Sequence, residues 1–97
     1  MSTRTDRMIA LLGQHFSPTV LQVDDDSARH AGHAGAAPGG QTHFNVLLVT
    51  DAFRGQNRIG RSRAVHAVLD PEFGSGLHAL SLTLRTPEEH EAAPRTA

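Results

Sequence analysis

The sequence contains no cysteine, lysine, tryptophan or tyrosine, and these absences exclude several kinds of structure and chemistry. Without cysteine the fold has no disulfide bond, and a metal or cluster site can take no thiolate from this chain. Four phenylalanines are the only large aromatic residues, so stacking of nucleic-acid bases on aromatic side chains has little support. Any sulfur that a metal cluster needs must therefore come from a partner.

The chain also lacks a strong net charge and a long apolar run. Nine basic residues, all arginine, face ten acidic ones, and the formal net charge of −1 gives no global field that attracts nucleic acid. No apolar stretch approaches the ~20 residues of a membrane-spanning helix, and the N-terminus shows no charged-then-apolar signal pattern. We therefore expect a cytoplasmic protein without membrane contact. The wealth of arginine, alanine and glycine is typical of a GC-rich, bacterial genome.

The size and composition are those of one small domain. The 97 residues are 38% hydrophobic and 20% charged, which is ordinary for a globular protein. We place a single domain at residues 1–90 and a flexible C-terminal tail at residues 91–97, where the sequence is polar.

Hydrophobic periodicity predicts five elements in the order α-β-β-α-β. The predicted helices are residues 3–16 and 58–69, and the predicted strands are residues 19–25, 43–50 and 77–85. The middle strand is apolar on both faces, which suits the centre of a small sheet. A helix connects it to the last strand, and this connection is long enough for a parallel crossover. The order predicts an α+β domain with a three-stranded mixed sheet and helices packed on one face.

Local patterns predict where these elements begin and end. Thr3 and Asp6 have the spacing of a capping box at the start of the first helix. Pro18 ends that helix, because the residue before a proline avoids helical geometry. The stretch DPEFGSG at residues 70–76 is predicted to be a loop. After Thr86 we expect at most a short helix.

In a chain without cysteine, the candidate metal ligands are to be found among its seven histidines. His30 and His33 lie in a glycine-rich loop, where solvated side chains and a metal site are both open interpretations. A zinc site within this chain alone would need four ligands, or three and a water. Strand alternation puts His78 on the apolar face of the last strand, where it either packs with one hydrogen bond or binds a metal. We expect His43 to pack or to donate a hydrogen bond where the loop ends.

The remaining histidines have no predicted ligand role. We expect His66 to be structural at the edge of the second helix, and His15 and His90 to lie on the surface. No Ser/His/Asp set, nucleophilic cysteine or complete metal motif is present, so we do not expect an enzyme.

Five short blocks of sequence follow one another in a recognisable order and spacing. They are D-S-x-x-H-A-G-H at Asp26–His33, G-G-x-T-H-F at Gly39–Phe44, F-x-G at Phe53–Gly55, R-x-R-x-V-H at Arg61–His66 and L-H-A-L-S-L at Leu77–Leu82. Together they resemble the BolA family over residues 3–88. The resemblance implies a class II KH-like fold, in agreement with the element order. It also implies a non-enzymatic adaptor of iron–sulfur trafficking and iron homeostasis, partnered with a monothiol glutaredoxin. The alternative is a DNA-binding transcriptional regulator of stress response and cell morphology.

The resemblance also implies a ligand set for a shared [2Fe–2S] cluster. The ligating histidine of the family falls on His78 and the loop ligand on His30, with His33 as the alternative. A glutaredoxin cysteine and glutathione would supply the other ligands. The isolated chain would then be a monomer without cofactor, and the complex a heterodimer. Imidazole in place of thiolate on one iron removes negative charge and raises the reduction potential.

The candidate nucleic-acid contacts are four arginines near the second helix: Arg54, Arg58, Arg61 and Arg63. Their angular positions do not form one stripe at 100° per residue, and Arg61 falls toward the apolar face, where we expect it to cap or bridge the fold. The family usually has Arg-His-Arg where this chain has Ser62 between two arginines. The G-x-x-G clamp of RNA-binding KH domains does not precede the second helix. We expect weak DNA binding at most.

Overall fold

The computed structural model describes residues 3–26 and 43–93. The elements are helix α1 (Arg4–Phe16), strands β1 (Val20–Asp25) and β2 (His43–Val49), a short 3₁₀ helix (Asp51–Phe53), helices α2 (Arg58–Val68) and α3 (Asp70–Gly74), strand β3 (Ala79–Arg85) and helix α4 (Pro87–Ala92). All five predicted elements are present in the predicted order. From its many glycines and its lack of apolar anchors, the sequence also predicts that residues 28–41 are the least ordered internal segment of the free protein. These residues lie outside the described ranges.

The three strands form one mixed sheet in the order β1-β2-β3, so β2 is central as its two apolar faces predicted. Strand β1 runs antiparallel to β2, and β2 runs parallel to β3. The register between the parallel strands begins with His43 opposite Ala79 and ends with Val49 opposite Arg85. The parallel pairing confirms the crossover through α2 and with it the predicted α+β fold.

The hydrophobic core lies between one face of the sheet and the helices. Alternation along β2 turns Phe44, Val46 and Leu48 toward this face, and none of them is more than 2% exposed. The helices and their connections complete the cluster with Met8, Leu12, Phe53, Val65, Leu69 and Leu77. Each fully buried apolar side chain of this size contributes about 1.5–3 kcal/mol. On the opposite face, Ser81 and Thr83 of β3 are exposed.

Helix α1 begins and ends as its sequence predicted. The Thr3 hydroxyl accepts a hydrogen bond from the Asp6 amide at 3.1 Å, and the Asp6 carboxylate accepts one from the Thr3 amide at 3.2 Å. The helix ends at Phe16, and Ser17 adopts a left-handed conformation with φ of 45° while its N–H donates to the carbonyl of Gly13. The capping box is thus confirmed at atomic detail.

The prediction of a loop over residues 70–76 is wrong, because α3 occupies Asp70–Gly74. A proline in the first turn favours the helix, since its φ is already helical. The buried carboxylate of Glu72 anchors α3 to α1, because it accepts from Arg4 Nη1 at 2.8 Å and from Arg7 Nη2 at 2.9 Å. Hydrogen bonds from Arg7, reinforced by the charge of Arg4, hold the pKa of Glu72 below its usual value.

The C-terminal part of the structure contains the short helix α4, as expected after Thr86. Residues 91 and 92, placed in the tail by sequence, belong to this helix, and residues 94–97 lie outside the described residues. None of the helices in the described ranges is long and apolar enough to cross a membrane.

Candidate functional site

His78 lies at one end of the sheet, immediately before β3, and its side chain is exposed. The predicted position on the apolar face is wrong, because the regular strand begins only at Ala79. The neighbouring Leu77 is buried instead, with 4% of its surface exposed. Its N–H donates a hydrogen bond to the carbonyl of Glu72 at 2.9 Å. Leu80 and the later leucines of β3 do pack against the core as predicted. The imidazole of His78 therefore remains accessible to a partner.

The imidazole ring of His43 lies next to that of His78. The centroids of the two rings are 5.2 Å apart, with 54° between the ring planes. His43 is the first residue of β2 and is paired with Ala79, so the parallel register brings the two histidines together. The sequence indicated a packing role for His43 but contained no signal for this contact, since it depends on how β2 and β3 align.

The segment that carries His30 and His33 joins Asp26, just after β1, to His43 at the start of β2. The Asp26 amide donates to the carbonyl of His43 at 2.8 Å, so the residues that flank the loop are hydrogen-bonded neighbours. A cavity of about 200 Å³ opens here, lined by Asp26, His43, Phe44, Asn45, Ala79, Leu80 and Ser81. His30 and His33 themselves lie outside the described residues. We call this end of the sheet, with His43, His78 and Asp26, the histidine corner.

The histidine corner is chemically suited to complete a metal centre and not to form one alone. Within residues 3–26 and 43–93, no group of three or more His, Cys, Asp or Glu side chains can hold a metal ion. An exposed imidazole supplies one neutral nitrogen donor, which is fewer than a structural zinc site requires. The described residues therefore leave a zinc site within this chain without support, whereas one or two ligands to a shared centre remain compatible with the geometry.

Two of the four candidate nucleic-acid arginines are engaged in ion pairs with α4. Arg54 donates to Asp51, and to Glu88 through a short contact. Arg61, whose side chain is only 12% exposed, donates to Glu89 at 2.6 Å. The hydrogen bond from Arg61, together with one from the backbone of Thr86, lowers the pKa of Glu89 to about 2.

The Arg61 guanidinium also bridges the fold, as predicted from its angle on α2. It donates to the backbone carbonyls of Gln56 at 2.9 Å and Leu84 at 3.3 Å, and it lies 5.6 Å from the centroid of the Phe53 ring. The sequence patterns did not predict that Glu88 and Glu89 of α4 would pair with Arg54 and Arg61. The pattern Thr86-x-x-Glu89 could have predicted where α4 begins, because it forms a second capping box.

The other two arginines, Arg58 and Arg63, are exposed and form no ion pair with a described residue. They line a groove of about 590 Å³ between α2 and β3, together with Ile59, Arg61, Ser62, Leu82, Thr83, Leu84 and Arg85. The four arginines therefore do not act as one basic surface. Arg54 and Arg61 stabilise the fold through ion pairs with α4, whereas Arg58 and Arg63 face the groove without an ion pair to a described residue.

The three other histidines of the described residues, His15, His66 and His90, do not belong to the histidine corner. His66 stacks on Phe73 with 5.2 Å between ring centroids and 14° between ring planes, which links α2 to α3 in the structural role that we predicted. His15 is exposed, as expected. His90 is half-buried instead of lying on the surface, because its Nδ1 is 3.3 Å from Arg85 Nη1.

The protein has an α+β fold with a three-stranded mixed sheet. The parallel register of β2 and β3 places His43 and His78 at the same end of this sheet, next to Asp26. The family model described as BolA-like protein matches residues 12–89. The chain belongs to the BolA family.

Similar proteins support this assignment. SufE-like protein 1, chloroplastic/mitochondrial, of Arabidopsis thaliana is 41% identical over an alignment of 93 residues, which covers 92% of this chain and 25% of that protein. Protein BOLA1, chloroplastic, of the same plant is 41% identical over an alignment of 91 residues, which covers 92% of this chain and 57% of that protein. This chain thus spans a quarter of the first relative and just over half of the second. The solved structure of BolA1 from Arabidopsis thaliana is similar with a TM-score of 0.82 and 40% identity, covering 97% of this chain and 99% of that one.

Proposed function

We propose that this BolA-family protein is a non-enzymatic, cytoplasmic adaptor of iron–sulfur trafficking and iron homeostasis. It binds a monothiol glutaredoxin and shares a [2Fe–2S] cluster with it through histidine ligands. The observation that carries the proposal is the histidine corner. There the imidazole of His78 is exposed, and both flanks of the histidine-bearing loop meet beside it.

The proposed ligands from this chain are His78 and His30. His30 follows Asp26 by four residues, so the covalent chain holds its Cα within about 14 Å of that flank of the loop. His33 follows by seven residues, with a reach of about 25 Å, and is the alternative. The shorter tether confines His30 to a smaller volume around the histidine corner. This favours His30, since a more confined ligand loses less entropy on binding.

The partner must supply sulfur, because this chain has none in cysteine. A glutaredoxin cysteine and glutathione are the proposed remaining ligands. When bound, the cluster would have imidazole on one iron, which raises its potential relative to an all-thiolate centre. The role of this chain is to present neutral imidazoles, and the requirement for deprotonated nitrogen makes the assembly sensitive to pH.

The test is reconstitution with a monothiol glutaredoxin, followed by visible absorption and circular dichroism. We expect a coloured heterodimer whose dichroism differs from that of the glutaredoxin-only cluster. The variant His15→Ala removes an exposed imidazole on α1 and is a matched control, so its spectrum should equal that of the unmodified complex. A mixture whose spectrum equals that of glutaredoxin alone, with no heterodimer on gel filtration, contradicts the proposal.

The alternative of a DNA-binding regulator has the exposed Arg58 and Arg63 in its favour. The ion pairs of Arg54 and Arg61 with α4 weigh against it, because a phosphate would have to displace a carboxylate at each. We therefore propose DNA binding only as a weak secondary property.

A further inference from the structure

The outer edge of β3 is open in the described structure. In the sheet β3 pairs only with β2, and none of the residues 3–26 and 43–93 forms a strand on its other side. Along a strand, the N–H and C=O groups of successive residues point to alternate sides. The carbonyl of Arg85 accepts from the Thr50 amide at 3.0 Å, so Arg85, Thr83 and Ser81 direct their peptide groups toward β2. Leu80, Leu82 and Leu84 therefore direct theirs outward.

The outward peptide groups open into the groove between α2 and β3. The carbonyl of Leu84 points away from β2 and toward α2, because it accepts a hydrogen bond from the guanidinium of Arg61 in α2. The N–H of Leu84 and both peptide groups of Leu82 face no second strand among residues 3–26 and 43–93, because β3 is the edge strand of the sheet there. The groove of about 590 Å³ thus has an unpaired strand edge as one wall and the first turns of α2 as the other.

The charge and polarity of the α2 wall define what the groove accepts. Arg58 and Arg63 are exposed and bring two positive charges without an acidic partner in the described residues. Ile59, which also lines the groove, is 63% exposed and offers an apolar contact surface. An occupant that combines carboxylates with apolar side chains would satisfy both features.

We propose that this groove binds an extended acidic segment of a partner protein, which pairs with the outer edge of β3 as a fourth strand. Carboxylates of the segment contact Arg58 and Arg63, and an apolar side chain packs on Ile59. A strand-like peptide supplies both the acceptors for the Leu82 and Leu84 amides and a donor for the Leu82 carbonyl. A DNA backbone offers phosphate acceptors but no such donor, so the peptide fits the edge better.

This docking surface goes beyond the proposed cluster function and is separate from its site. The groove is lined by the second half of β3, whereas His78 precedes the strand. Six residues of extended chain between His78 and Leu84 correspond to roughly 20 Å. Failure of one proposal therefore leaves the other intact.

The test uses the ¹⁵N-labelled full chain and a capped peptide of about eight residues that alternates glutamate and valine, a typical strand length. A lysine–valine peptide of the same length and a thymidine oligonucleotide are the comparison probes. We expect saturation with the acidic peptide to slow amide hydrogen exchange at Leu82 and Leu84 by about tenfold or more. Ser81 and Thr83 are the internal controls, because their amides are already bonded to β2 and their exchange should not change.

Substitutions then locate the charge contacts. Arg58→Ser and Arg63→Ser should each weaken the acidic peptide by about three- to fivefold, the effect of one exposed ion pair. Arg54→Ser is the matched control, because Arg54 lies outside the groove lining and its charge is already paired, so affinity should stay the same.

Two results would overturn the proposal. One is the absence of acidic-peptide binding up to about 1 mM, a weak affinity even for a short peptide. The other is binding of the oligonucleotide at least as tight as the peptide, without protection of the Leu82 and Leu84 amides. That second pattern would identify the groove as a nucleic-acid site.

Discussion

Glu72 is the polar centre of this small fold, and replacing it with glutamine should destabilise the protein strongly. Its side chain is 6% exposed and accepts hydrogen bonds from two arginines of α1, from Arg4 Nη1 at 2.8 Å and from Arg7 Nε at 3.0 Å. Glu72→Gln keeps the shape but removes the charge, so the buried guanidinium of Arg4 loses its counter-ion. The NH2 group of the glutamine also cannot accept a hydrogen bond from the guanidinium group that it would face.

The expected loss is about 3 kcal/mol, the lower end of the range of about 3–5 kcal/mol for breaking a buried ion pair. The lower end applies because the Arg7 side chain is 42% exposed and water can solvate its charge. A chain of this length has a total stability of roughly 5–15 kcal/mol. At about 4–8 °C per kcal/mol, Tm should fall by roughly 12–24 °C at neutral pH.

The pH dependence of this loss follows from the lowered pKa of Glu72. A carboxyl group whose pKa is lower in the folded state stabilises the fold above its usual value of 4.5. That contribution disappears as the pH falls through the lowered folded value. The difference in Tm between the original protein and Glu72→Gln should therefore be full at pH 7 and shrink in acid.

Thermal melts by far-UV circular dichroism at several pH values measure this effect. Glu91→Gln is the matched control, since Glu91 lies exposed on α4 and its replacement should change stability by no more than about 0.5 kcal/mol. A Glu72→Gln variant that melts within about 2 °C of the original at pH 7, or a Tm difference that does not change with pH, would refute the reasoning.

Three further predictions concern the histidine corner, a glycine and the arginines. His78→Ala should abolish the mixed-ligand cluster and His30→Ala should only weaken or alter it, because the position of His78 is set by β3; an unchanged dichroism spectrum of the His78→Ala complex would remove the cluster proposal. Gly76→Ala should cost about 1–3 kcal/mol in denaturant unfolding, because its φ is +125° and a Cβ there would lie 3.0 Å from Arg4 Nη2, and an unchanged midpoint would contradict this. DNA binding should be weak and tolerant of sequence. If only Arg58 and Arg63 contact phosphates, log K should fall with log salt at a slope near −1.8, at about 0.9 per contact, and not near −3.6 as for all four candidate arginines. Sub-micromolar affinity for one duplex sequence at physiological salt would contradict this.

Short-range patterns in the sequence determined the elements and their order. The apolar periodicity of α1 and the alternation of β2 predicted Met8, Leu12, Phe44 and their neighbours on one side of each element, and these residues form the core. The capping box at Thr3 predicted where the chain becomes helical. These features depend on residues within a few positions of each other, so they are visible without a fold. The β2–β3 crossover followed as well, because a helix between two strands leaves few ways to connect them.

Long-range contacts were decided only by the tertiary structure. Helix α3 forms where turn residues suggested a loop, because the carboxylate of Glu72 binds arginines that lie 65 and 68 positions earlier. His43 meets His78 only through the register of two parallel strands, and Arg61 meets Glu89 only after α4 folds back on β3. No local periodicity encodes such pairs, since their energy depends on burial and alignment that exist only once the chain is packed. The sequence by itself therefore determined which residues can act, and the packed fold decided which of them act together.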